Sequence, residues 1–593
     1  MYTKVFHFGT EITEHDLFTD EKGYGFINQE QLPGKTKSEQ SLYSGGWKLR
    51  KNALADWKNS LCSAEHGIEI TQDRFVMIFK ILVPEEGSYK ITLTSKTGHD
   101  GIQDMMLFSG RRNLVERDIL VNPGETYTKS FFVFVAPYIP ALSSIPCTEK
   151  AIYVSITGKH ASLSELIVEK QDAPVIYVAG DSTLTDQNAL FPYYPYGSCA
   201  GWAQVMAQYF DSVAICNQAH SGMTSNCFRD DGHWDIVKER LKENDIVFLQ
   251  FGHNDQKRRN LAAFGGYINN LRWYVKEIKA RGAFPIIVSP ISRIPFQDNG
   301  KYRSLLSMHA LACKEAANEC NVPFIDLHAL TFHYWCHLGE EQAKDYFMKG
   351  DITHTNDYGA NLIASYVVSE ILRQNIEPLS SLLSFQEKKT MHPEQDTKEV
   401  PVEPADGGMF DIDIPYVDIN GIPQYDDMVL AFRKGLFDPC VMHLHPTEPM
   451  PRAQFLMVYF KALRRNGKRP YLGEFCDISR YEWDSSYIQA CVEEYLIDPS
   501  TVPNGRFRPD DALTNAEYAS FLIRGLAESA DKRNISINDC VTTAKKQHFL
   551  AADAIADNII SRADCYKGLV TFMDSMNNAD KSLPSDVEVH PVG

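Results

Sequence analysis

Two short segments of this chain carry a hydroxyl, an imidazole and a carboxylate, which are the groups that nucleophilic acyl transfer needs. Gly180-Asp-Ser182 places a serine directly after a run of apolar residues, where a strand could end and present a nucleophile. Asp351-Ile-Thr-His354 places a carboxylate and an imidazole three residues apart, so Asp351 could fix the tautomer of His354. The second imidazole nitrogen could then accept the proton of Ser182. These spacings predict a nucleophile, a base and an acid that orients the base.

Two further segments could stabilise the negative charge that develops on a carbonyl oxygen during such a reaction. Gly222 ends Asn217-Gln-Ala-His-Ser-Gly222 and could offer a backbone N–H that no side chain obstructs. Asn254, in Phe251-Gly-His-Asn-Asp255, could offer its side-chain amide. Taken singly, each of the four segments has a plainer interpretation, as a turn glycine, a loop asparagine, a helix-capping serine or a surface Asp–His pair. Their occurrence at the ends of separate predicted strands or in the closing loop makes coincidence a poor explanation.

The elements between these segments must bring them together. Continuous apolar runs predict strands that are buried on both faces, at residues 175–179, 213–216, 246–251, 285–289 and 323–327. Helical patterns alternate with or follow these runs, at residues 202–210, 234–241, 268–280, 302–320 and 358–372. The alternation predicts an α/β region with a parallel five-stranded sheet and helices on both faces. Ligands of such sheets bind at the carboxyl ends of the strands, where the candidate residues lie.

The sequence on either side of this region has other patterns. Up to residue 170, short runs of alternating apolar and polar residues predict a β-sandwich, at residues 75–83, 89–95, 126–135 and 151–157. Charge and proline then predict a linker, and a weak repeat of about fifty to sixty residues with capped helical patterns predicts an all-α domain. The predicted domains therefore span residues 1–170, 171–378, 379–410 and 411–593.

Composition excludes several other classes of protein. The 593 residues are 44% hydrophobic and 23% charged, with a net charge of −18, so a nucleic-acid backbone is an unfavourable partner. No apolar run approaches the roughly 20 residues that span a bilayer. The 13 cysteines form no Cys-x-x-Cys pair, and the histidines have no metal-binding spacing, so we expect reduced thiols and no metal. The start shows no signal peptide, which predicts a cytoplasmic protein, or a cell-surface one if the native start lies elsewhere.

The four segments together resemble the four conserved blocks of the SGNH (GDSL-type) hydrolases. The wording Gly252-His-Asn-Asp255, and the closing Asp-x-x-His with Gly359-Ala360 behind it, is most similar to rhamnogalacturonan acetylesterases. Gly23-Tyr-Gly-Phe26 is similar to the carbohydrate-binding-like (galactose-binding-like) β-sandwich that precedes the esterase in bacterial members. The resemblance covers about residues 1–373, and Met223 stands where those esterases commonly have arginine.

The resemblance implies a fold, a mechanism and roles for named residues. It implies a flavodoxin-like hydrolase without a cofactor, in which Ser182 is the nucleophile, His354 the base and Asp351 its orienting acid. The oxyanion hole would consist of the Ser182 and Gly222 N–H groups and the Asn254 amide. The implied function is the removal of O-acetyl groups from pectic, rhamnogalacturonan-type oligosaccharides through an acyl-enzyme. The alternatives are an esterase for another acetylated glycan (xylan, mannan or a sialic acid), for a lipid or for a thioester, and a non-catalytic glycan- or wall-binding protein.

Residues close to these blocks could contact a saccharide. Tyr193, Tyr194 and Tyr196 follow the nucleophile and could stack on sugar faces, although a proline-stiffened loop packed on the sheet is as reasonable an interpretation. Arg258 could meet a uronic-acid carboxylate, although basic runs are more often solvated loops. We also include His253, between the predicted oxyanion donors, among the substrate contacts.

The C-terminal repeats resemble S-layer homology modules. Related tetrapeptides enter the second helix of each unit, namely Pro451-Arg-Ala-Gln454, Thr514-Asn-Ala-Glu517 and Ser561-Arg-Ala-Asp564. Asn515 stands where that family carries arginine. The resemblance implies a cell-wall polymer as partner, with self-association through the repeats as an alternative.

Overall fold

The computed structural model describes residues 2–384 except 10, 11, 51, 52, 54, 55, 65, 141–144, 299 and 300, and residues 418–580 except 420, 435, 437–443, 464, 466, 468, 480, 481 and 528–534. The chain divides into two compact units, Met1–Asp413 and Ile414–Gly593. Beyond residue 384, the predicted linker lies outside the described residues. Within the described ranges, no helix is long and apolar enough to cross a membrane.

Strands, most of them in antiparallel pairs, and two short α-helices make up most of the regular structure of the first 170 residues. The helices are α1 (Lys37–Tyr43) and α2 (Trp57–Ser60). The strands are β1 (Thr3–His7), β2 (Tyr24–Phe26), β3 (Trp47–Leu49), β4 (Leu61–Ala64), β5 (Gly67–Ile70), β6 (Val76–Leu82), β7 (Gly87–Lys96), β8 (Ile102–Ser109), β9 (Asn113–Val121), β10 (Thr126–Val135), β11 (Ala151–Thr157), β12 (Ser162–Leu163) and β13 (Glu165–Lys170).

Two of the sheets that these strands form enclose a shared apolar core. One has the spatial order β1–β13–β7–β10 and the other the order β2–β6–β11–β8–β9. Phe6 of the first sheet contacts Phe79 of the second with ring centroids 5.2 Å apart, as alternating apolar residues on facing strands should. A saccharide-binding role for this region stays a prediction.

The next strands are β14 (Val175–Gly180), β15 (Ala189–Phe191), β16 (Ala214–Asn217), β17 (Ile246–Gln250), β18 (Phe284–Val288), β19 (Phe296–Asp298), β20 (Lys301–Arg303) and β21 (Phe324–Ile325). Five of them form a parallel sheet with the order β16–β14–β17–β18–β21, which confirms the predicted parallel five-stranded sheet. Numbered by their order in the chain, the five strands lie in the spatial order 2-1-3-4-5. The chain therefore runs from β14 first to one side of the sheet and then to the other, which makes a switch point beside β14. The crevice at that point opens at the carboxyl ends of β14, β16 and β17.

Helices flank this sheet. They are α3 (Cys227–Asp230), α4 (His233–Arg240), α5 (Ile268–Lys279), α6 (Ser307–Cys320), α7 (Leu327–Leu338), α8 (Glu340–Ala343), α9 (Asp357–Gln374) and α10 (Leu379–Leu382).

Three sequence predictions about these helices need correction. The helix predicted at 202–210 is a 3-10 helix over Trp202–Tyr209. The helix predicted from residue 302 begins at Ser307, because Lys301–Arg303 pairs instead with β19. The strand predicted through residue 327 is too long, because α7 begins at Leu327. The Asp326 side chain accepts a hydrogen bond from Ala329 N and caps that helix.

The second unit is helical in its described part. Its helices are α11 (Tyr425–Arg433), α12 (Arg452–Ala462), α13 (Ser485–Glu493), α14 (Asn515–Leu526), α15 (Ile537–Lys546) and α16 (Arg562–Asp580). The residues before α12, α14 and α16 form a closed ring of backbone hydrogen bonds, in which Met450 donates to Ile560, Ile560 to Leu513 and Leu513 to Met450. The three related tetrapeptides thus occupy equivalent positions. The S-layer homology identity of this unit, its wall binding and its self-association stay predictions.

Candidate active site

Ser182 lies directly beyond the carboxyl end of β14 in a tight turn. Gly180 is required there, since a Cβ at that position would lie 2.6 Å from the Gln250 carbonyl oxygen of the neighbouring strand. The buried Asp181 carboxylate accepts hydrogen bonds from the Thr183 N–H at 3.0 Å and from its hydroxyl at 2.8 Å, and so closes the turn. The serine is 6% exposed and is held at the rim of the sheet.

His354 and Asp351 complete a hydrogen-bonded series with this serine. His354 Nε2 lies 2.8 Å from Ser182 Oγ, although the two residues are 172 positions apart in the sequence. His354 Nδ1 lies 2.6 Å from Asp351 Oδ2. A carboxylate that accepts a hydrogen bond from Nδ1–H keeps the proton on Nδ1 and leaves Nε2 free to accept a proton from the serine hydroxyl. The arrangement can therefore activate Ser182 as a nucleophile.

The other oxygen of Asp351 holds the loop that carries the imidazole. Oδ1 accepts hydrogen bonds from Thr353 N at 2.7 Å and from His354 N at 3.1 Å. Burial by itself raises the pKa of Asp351, but the His354 imidazole and these two N–H groups lower it to about 2. The carboxylate is therefore ionised throughout the neutral range.

The low pKa of Asp351 makes a prediction about stability. A carboxyl whose pKa is lower in the folded state stabilises the fold above its ordinary pKa of 3.8, and this contribution is lost as the pH falls through about 2. We expect the difference in unfolding free energy between wild type and Asp351→Asn to shrink by about 1 to 2 kcal/mol from pH 5 to pH 2.5, since the side chain is one-third exposed. Urea unfolding of both proteins at each pH measures it, and a constant difference would contradict the assignment.

Of the three predicted oxyanion donors, Gly222 follows β16 and Asn254 follows β17. Gly222 has φ of +82°, a conformation that glycine adopts without strain. Asn254 Nδ2 donates to Met223 O at 3.0 Å and so joins the two loops. Because an amide carries two N–H groups, one remains to meet a substrate oxygen. Stabilisation of an oxyanion by these residues is therefore a proposal, and the free N–H of Asn254 is compatible with it.

Asp255 anchors the segment that carries Asn254. Its Oδ1 accepts from the Ser225 N–H at 2.9 Å and from the Ser225 hydroxyl at 2.5 Å, and its Oδ2 accepts from Gly252 N at 3.1 Å. Burial raises the pKa of Asp255 to about 7, with these hydrogen bonds opposing the shift. The carboxyl group thus ties the loop after β17 to the loop after β16.

His253 lies beneath the site, and its prediction as a substrate contact is wrong. The side chain is buried at 1% exposure, and Nδ1 lies 3.3 Å from Asp181 Oδ2. Burial raises the pKa of Asp181, but the nearby imidazole and the two hydrogen bonds from Thr183 together outweigh that effect, so the pKa is below its ordinary value. His253 therefore supports the turn that carries the serine.

The structure separates the three predicted tyrosines. Tyr193 is 4% exposed and its hydroxyl donates to Asp357 at 2.6 Å, so its predicted saccharide contact is wrong and the residue belongs to the core. Tyr194 is half-buried beneath two guanidinium groups, which lie 5.1 Å and 4.9 Å from its ring. Tyr196 is also half-buried and donates to Asp345 at 3.2 Å. Saccharide stacking by Tyr194 and Tyr196 stays a prediction.

Two arginines near the site have different surroundings. Arg258 is exposed, four positions after Asn254, and its contact with a uronate stays a prediction. Arg293, which sequence reasoning missed, donates to Thr353 Oγ1 at 2.9 Å and to His253 O at 3.2 Å. Burial lowers the pKa of Arg293 to about 10, although two nearby carboxylates act to raise it. Arg293 therefore joins the loop of the base to the loop after β17, and no local motif marks it.

Metal coordination has no candidate in the described part of the chain, where no group of three or more His, Cys, Asp or Glu side chains could hold an ion. The cysteines described there are all free thiols. The chemistry that the site offers is that of a hydroxyl, an imidazole and a carboxylate.

Several known proteins are similar in sequence to the part of the chain that carries the site. Residues 178–362 match the GDSL-like Lipase/Acylhydrolase family. Rhamnogalacturonan acetylesterase RhgT of Bacillus subtilis is 31% identical over 228 residues, which are 36% of this chain and 96% of that protein. A rhamnogalacturonan acetylesterase of Emericella nidulans is 24% identical over 226 residues, 34% of this chain and 85% of that protein.

The uncharacterized esterase YxiM of Bacillus subtilis is 31% identical over 246 residues, which are 39% of this chain and 63% of that protein. The chain thus spans less than two thirds of the length of YxiM. The crystal structure of YxiM is 24% identical to this chain with a TM-score of 0.35, and the match covers 63% of this chain and 99% of that one. With 31% identity over almost the whole of RhgT and a family match across the residues that carry the site, the chain belongs to the GDSL-like Lipase/Acylhydrolase family.

Proposed function

We propose that this chain is a serine esterase that removes O-acetyl groups from pectic, rhamnogalacturonan-type oligosaccharides. The observation that carries the ester chemistry is the 2.8 Å contact between Ser182 Oγ and His354 Nε2, backed by Asp351 at 2.6 Å. The substrate class is supported by the names of relatives, since RhgT and the Emericella nidulans protein are rhamnogalacturonan acetylesterases.

The proposed reaction has two displacements. Ser182 Oγ attacks the acetyl carbonyl carbon while its proton passes to His354 Nε2, and the carbonyl oxygen becomes an oxyanion. The Ser182 and Gly222 N–H groups and the Asn254 amide would donate to that oxyanion. The bond to the sugar oxygen breaks, and His354 returns the proton to the departing hydroxyl. Water then attacks acetyl-Ser182 by the same route, releasing acetate and restoring the serine.

A panel of acetylated substrates tests the proposed specificity. Acetate release would be measured on acetylated rhamnogalacturonan oligomers, acetylated homogalacturonan, acetyl-xylan, acetyl-mannan and an O-acetyl sialic acid. The proposal expects the highest kcat/KM on the rhamnogalacturonan oligomers, by about tenfold or more, the discrimination that about 1.4 kcal/mol of differential binding supplies. A clear preference for xylan, mannan or sialic acid would move the function to that glycan. Ser182-dependent turnover of p-nitrophenyl acetate without turnover of any glycan would retain the esterase and reject the substrate class.

Arg258 makes the anionic part of this specificity testable. If its exposed guanidinium pairs with a galacturonate carboxylate, Arg258→Ala should raise KM for galacturonate-containing oligomers by about threefold to tenfold, in line with a partly solvated ion pair. Acetyl-xylan, which lacks that carboxylate, should show no change in KM. Arg373→Ala is a matched control, because this arginine is exposed and pairs with Glu370 near the last turn of α9. Equal KM values for wild type and Arg258→Ala on the anionic oligomers would remove the contact.

A further inference from the structure

A turn of the N-terminal sheets carries two adjacent arginines into the α/β region. Arg111 and Arg112 lie between β8 and β9. Arg112 is 1% exposed, and each of its guanidinium nitrogens donates to a residue of the α/β region. A buried charge is costly unless it is paired and hydrogen-bonded, so the fold depends on these contacts of Arg112.

One set of contacts leads from Arg112 to the base. Its Nη1 donates to both oxygens of Asp357, at 2.8 Å and 3.0 Å. Asp357 is the first residue of α9, three positions after His354. The Tyr193 hydroxyl also donates to this carboxylate, at 2.6 Å. The N-terminus of the helix that follows the base is thereby fixed to Arg112.

A second set leads from Arg112 to the nucleophile. Its Nε donates to Gln187 O at 3.4 Å, and its Nη2 donates to Gln204 Oε1 at 3.2 Å. Gln204 Oε1 also accepts from Gln187 N at 3.2 Å, so the Gln187 backbone is held from two sides. The Gln187 side chain donates to the carbonyl oxygen of Ser182 at 3.0 Å. One residue thus separates Arg112 from the backbone of the serine.

Arg111 extends the pattern to the loop that carries Gly222. Its Nη2 donates to Asn217 O at 2.5 Å and lies 3.1 Å from Asp186 Oδ2. Asn217 Nδ2 donates in turn to Asp186 Oδ1 at 2.7 Å. The turn between β8 and β9 therefore makes hydrogen bonds to residues that hold the loops of Ser182, Gly222 and His354 in place.

We propose that Arg112 is a positioning residue that sets the distance between the Ser182 hydroxyl and the His354 imidazole, which makes the N-terminal sheets part of the catalytic unit. This inference rests on the proposed ester chemistry of Ser182. Misplacement of reacting groups by about 1 Å costs about 100-fold in rate even when the change is remote from the chemistry. The loss should appear in kcat, because Arg112 lies beneath the loops and touches no substrate.

The test compares Arg112→Met with Arg117→Met in the full chain. Arg117 is also a buried arginine of the N-terminal sheets, at 6% exposure, but its Nε donates to Gln208, in the 3-10 helix Trp202–Tyr209. We expect Arg112→Met to lower kcat for p-nitrophenyl acetate by about 30-fold or more with KM within about threefold, and to slow phosphonylation of Ser182 by a fluorophosphonate similarly. Arg117→Met should retain kcat within about threefold. A kcat of Arg112→Met within threefold of wild type, or an equal loss in both variants, would overturn the proposal.

A second pair keeps the test decisive if Arg112→Met does not fold. Arg112→Lys keeps the charge but cannot reach Asp357, Gln187 and Gln204 together, so its kcat should fall by about tenfold while that of Arg117→Lys does not. Arg112→Lys with the kcat of wild type would overturn the positioning role.

If wild type turns over no acetyl ester although Ser182 is phosphonylated, the proposed function fails, and the ratio of phosphonylation rates still tests positioning. If wild type turns over esters and the ratios are near one, positioning fails and the function stands.

Discussion

Ser182→Ala is expected to lower kcat for an acetyl ester by at least about 10⁴-fold, because in the proposed reaction the acyl-enzyme forms on the Ser182 hydroxyl. The expectation rests on the 2.8 Å contact of this hydroxyl with His354 Nε2. The fold should be retained, since the lost Oγ faces the rim of the sheet and leaves the hydrogen bonds of Asp181 in place. Acetate release and thermal unfolding of the same preparation measure both effects.

Ser221→Ala is the matched control for this change. Ser221 has the same 6% exposure and lies in the neighbouring loop, where its hydroxyl accepts from Gln187 at 3.4 Å. Its removal should change kcat by less than about tenfold, the effect of one weak support. Turnover by Ser182→Ala within about tenfold of wild type would show that another nucleophile does the chemistry.

Asp351→Asn is expected to lower kcat by about 10⁴-fold, because it imposes the wrong tautomer on the base. Thr353 N and His354 N both donate to Asp351 Oδ1, so an asparagine would place its oxygen there. Its NH2 group would then face His354 Nδ1 and donate to it. The imidazole proton would stay on Nε2, which could no longer accept the proton of Ser182.

Asp351→Ala separates the tautomer from the charge. Alanine removes the carboxylate but imposes no tautomer, so Asp351→Ala should be more active than Asp351→Asn, by about tenfold or more. Rates on p-nitrophenyl acetate at pH 7 give the comparison, with both variants checked by thermal unfolding. An asparagine variant as active as the alanine variant would show that Asp351 acts on His354 in another way.

The parts of the fold that the sequence predicts correctly, and the proposals for the site residues, depend on local pattern. Continuous apolar runs predict all five parallel strands, because a strand covered on both faces has no polar position. The proposals for Ser182 and His354 depend on residue type and on their places after the first of these strands and in the closing loop. The 2.8 Å between them depends on tertiary structure that neither segment contains.

The errors occur where a side chain is used by a distant part of the chain. Tyr193 is an aromatic residue beside proline in a loop, and nothing local indicates that its hydroxyl meets Asp357, 164 residues away. No local motif marks Arg112, a charged residue in a turn that is nevertheless 1% exposed. The prediction for His253 depends on its neighbours in the sequence, whereas its partner Asp181 follows another strand. Such pairings depend on how sheets pack, which periodicity does not encode.

The helical repeats give a contrasting case. Thr514 and Glu517 form the predicted reciprocal cap of α14, because a capping box is satisfied within one turn. The closed ring of backbone bonds through Met450, Leu513 and Ile560 joins residues from three repeats and has no local signal.

The most direct measurement of the central claim is the site at which a fluorophosphonate reacts. Such a reagent is attacked by a serine whose proton a neighbouring base removes, and it needs no knowledge of the natural ester. Peptide mass mapping of the inhibited full chain should find one stoichiometric adduct, on Ser182, and none in the alanine variant at that position. An unlabelled Ser182 in folded protein, or a stoichiometric adduct on a different serine, would contradict the account.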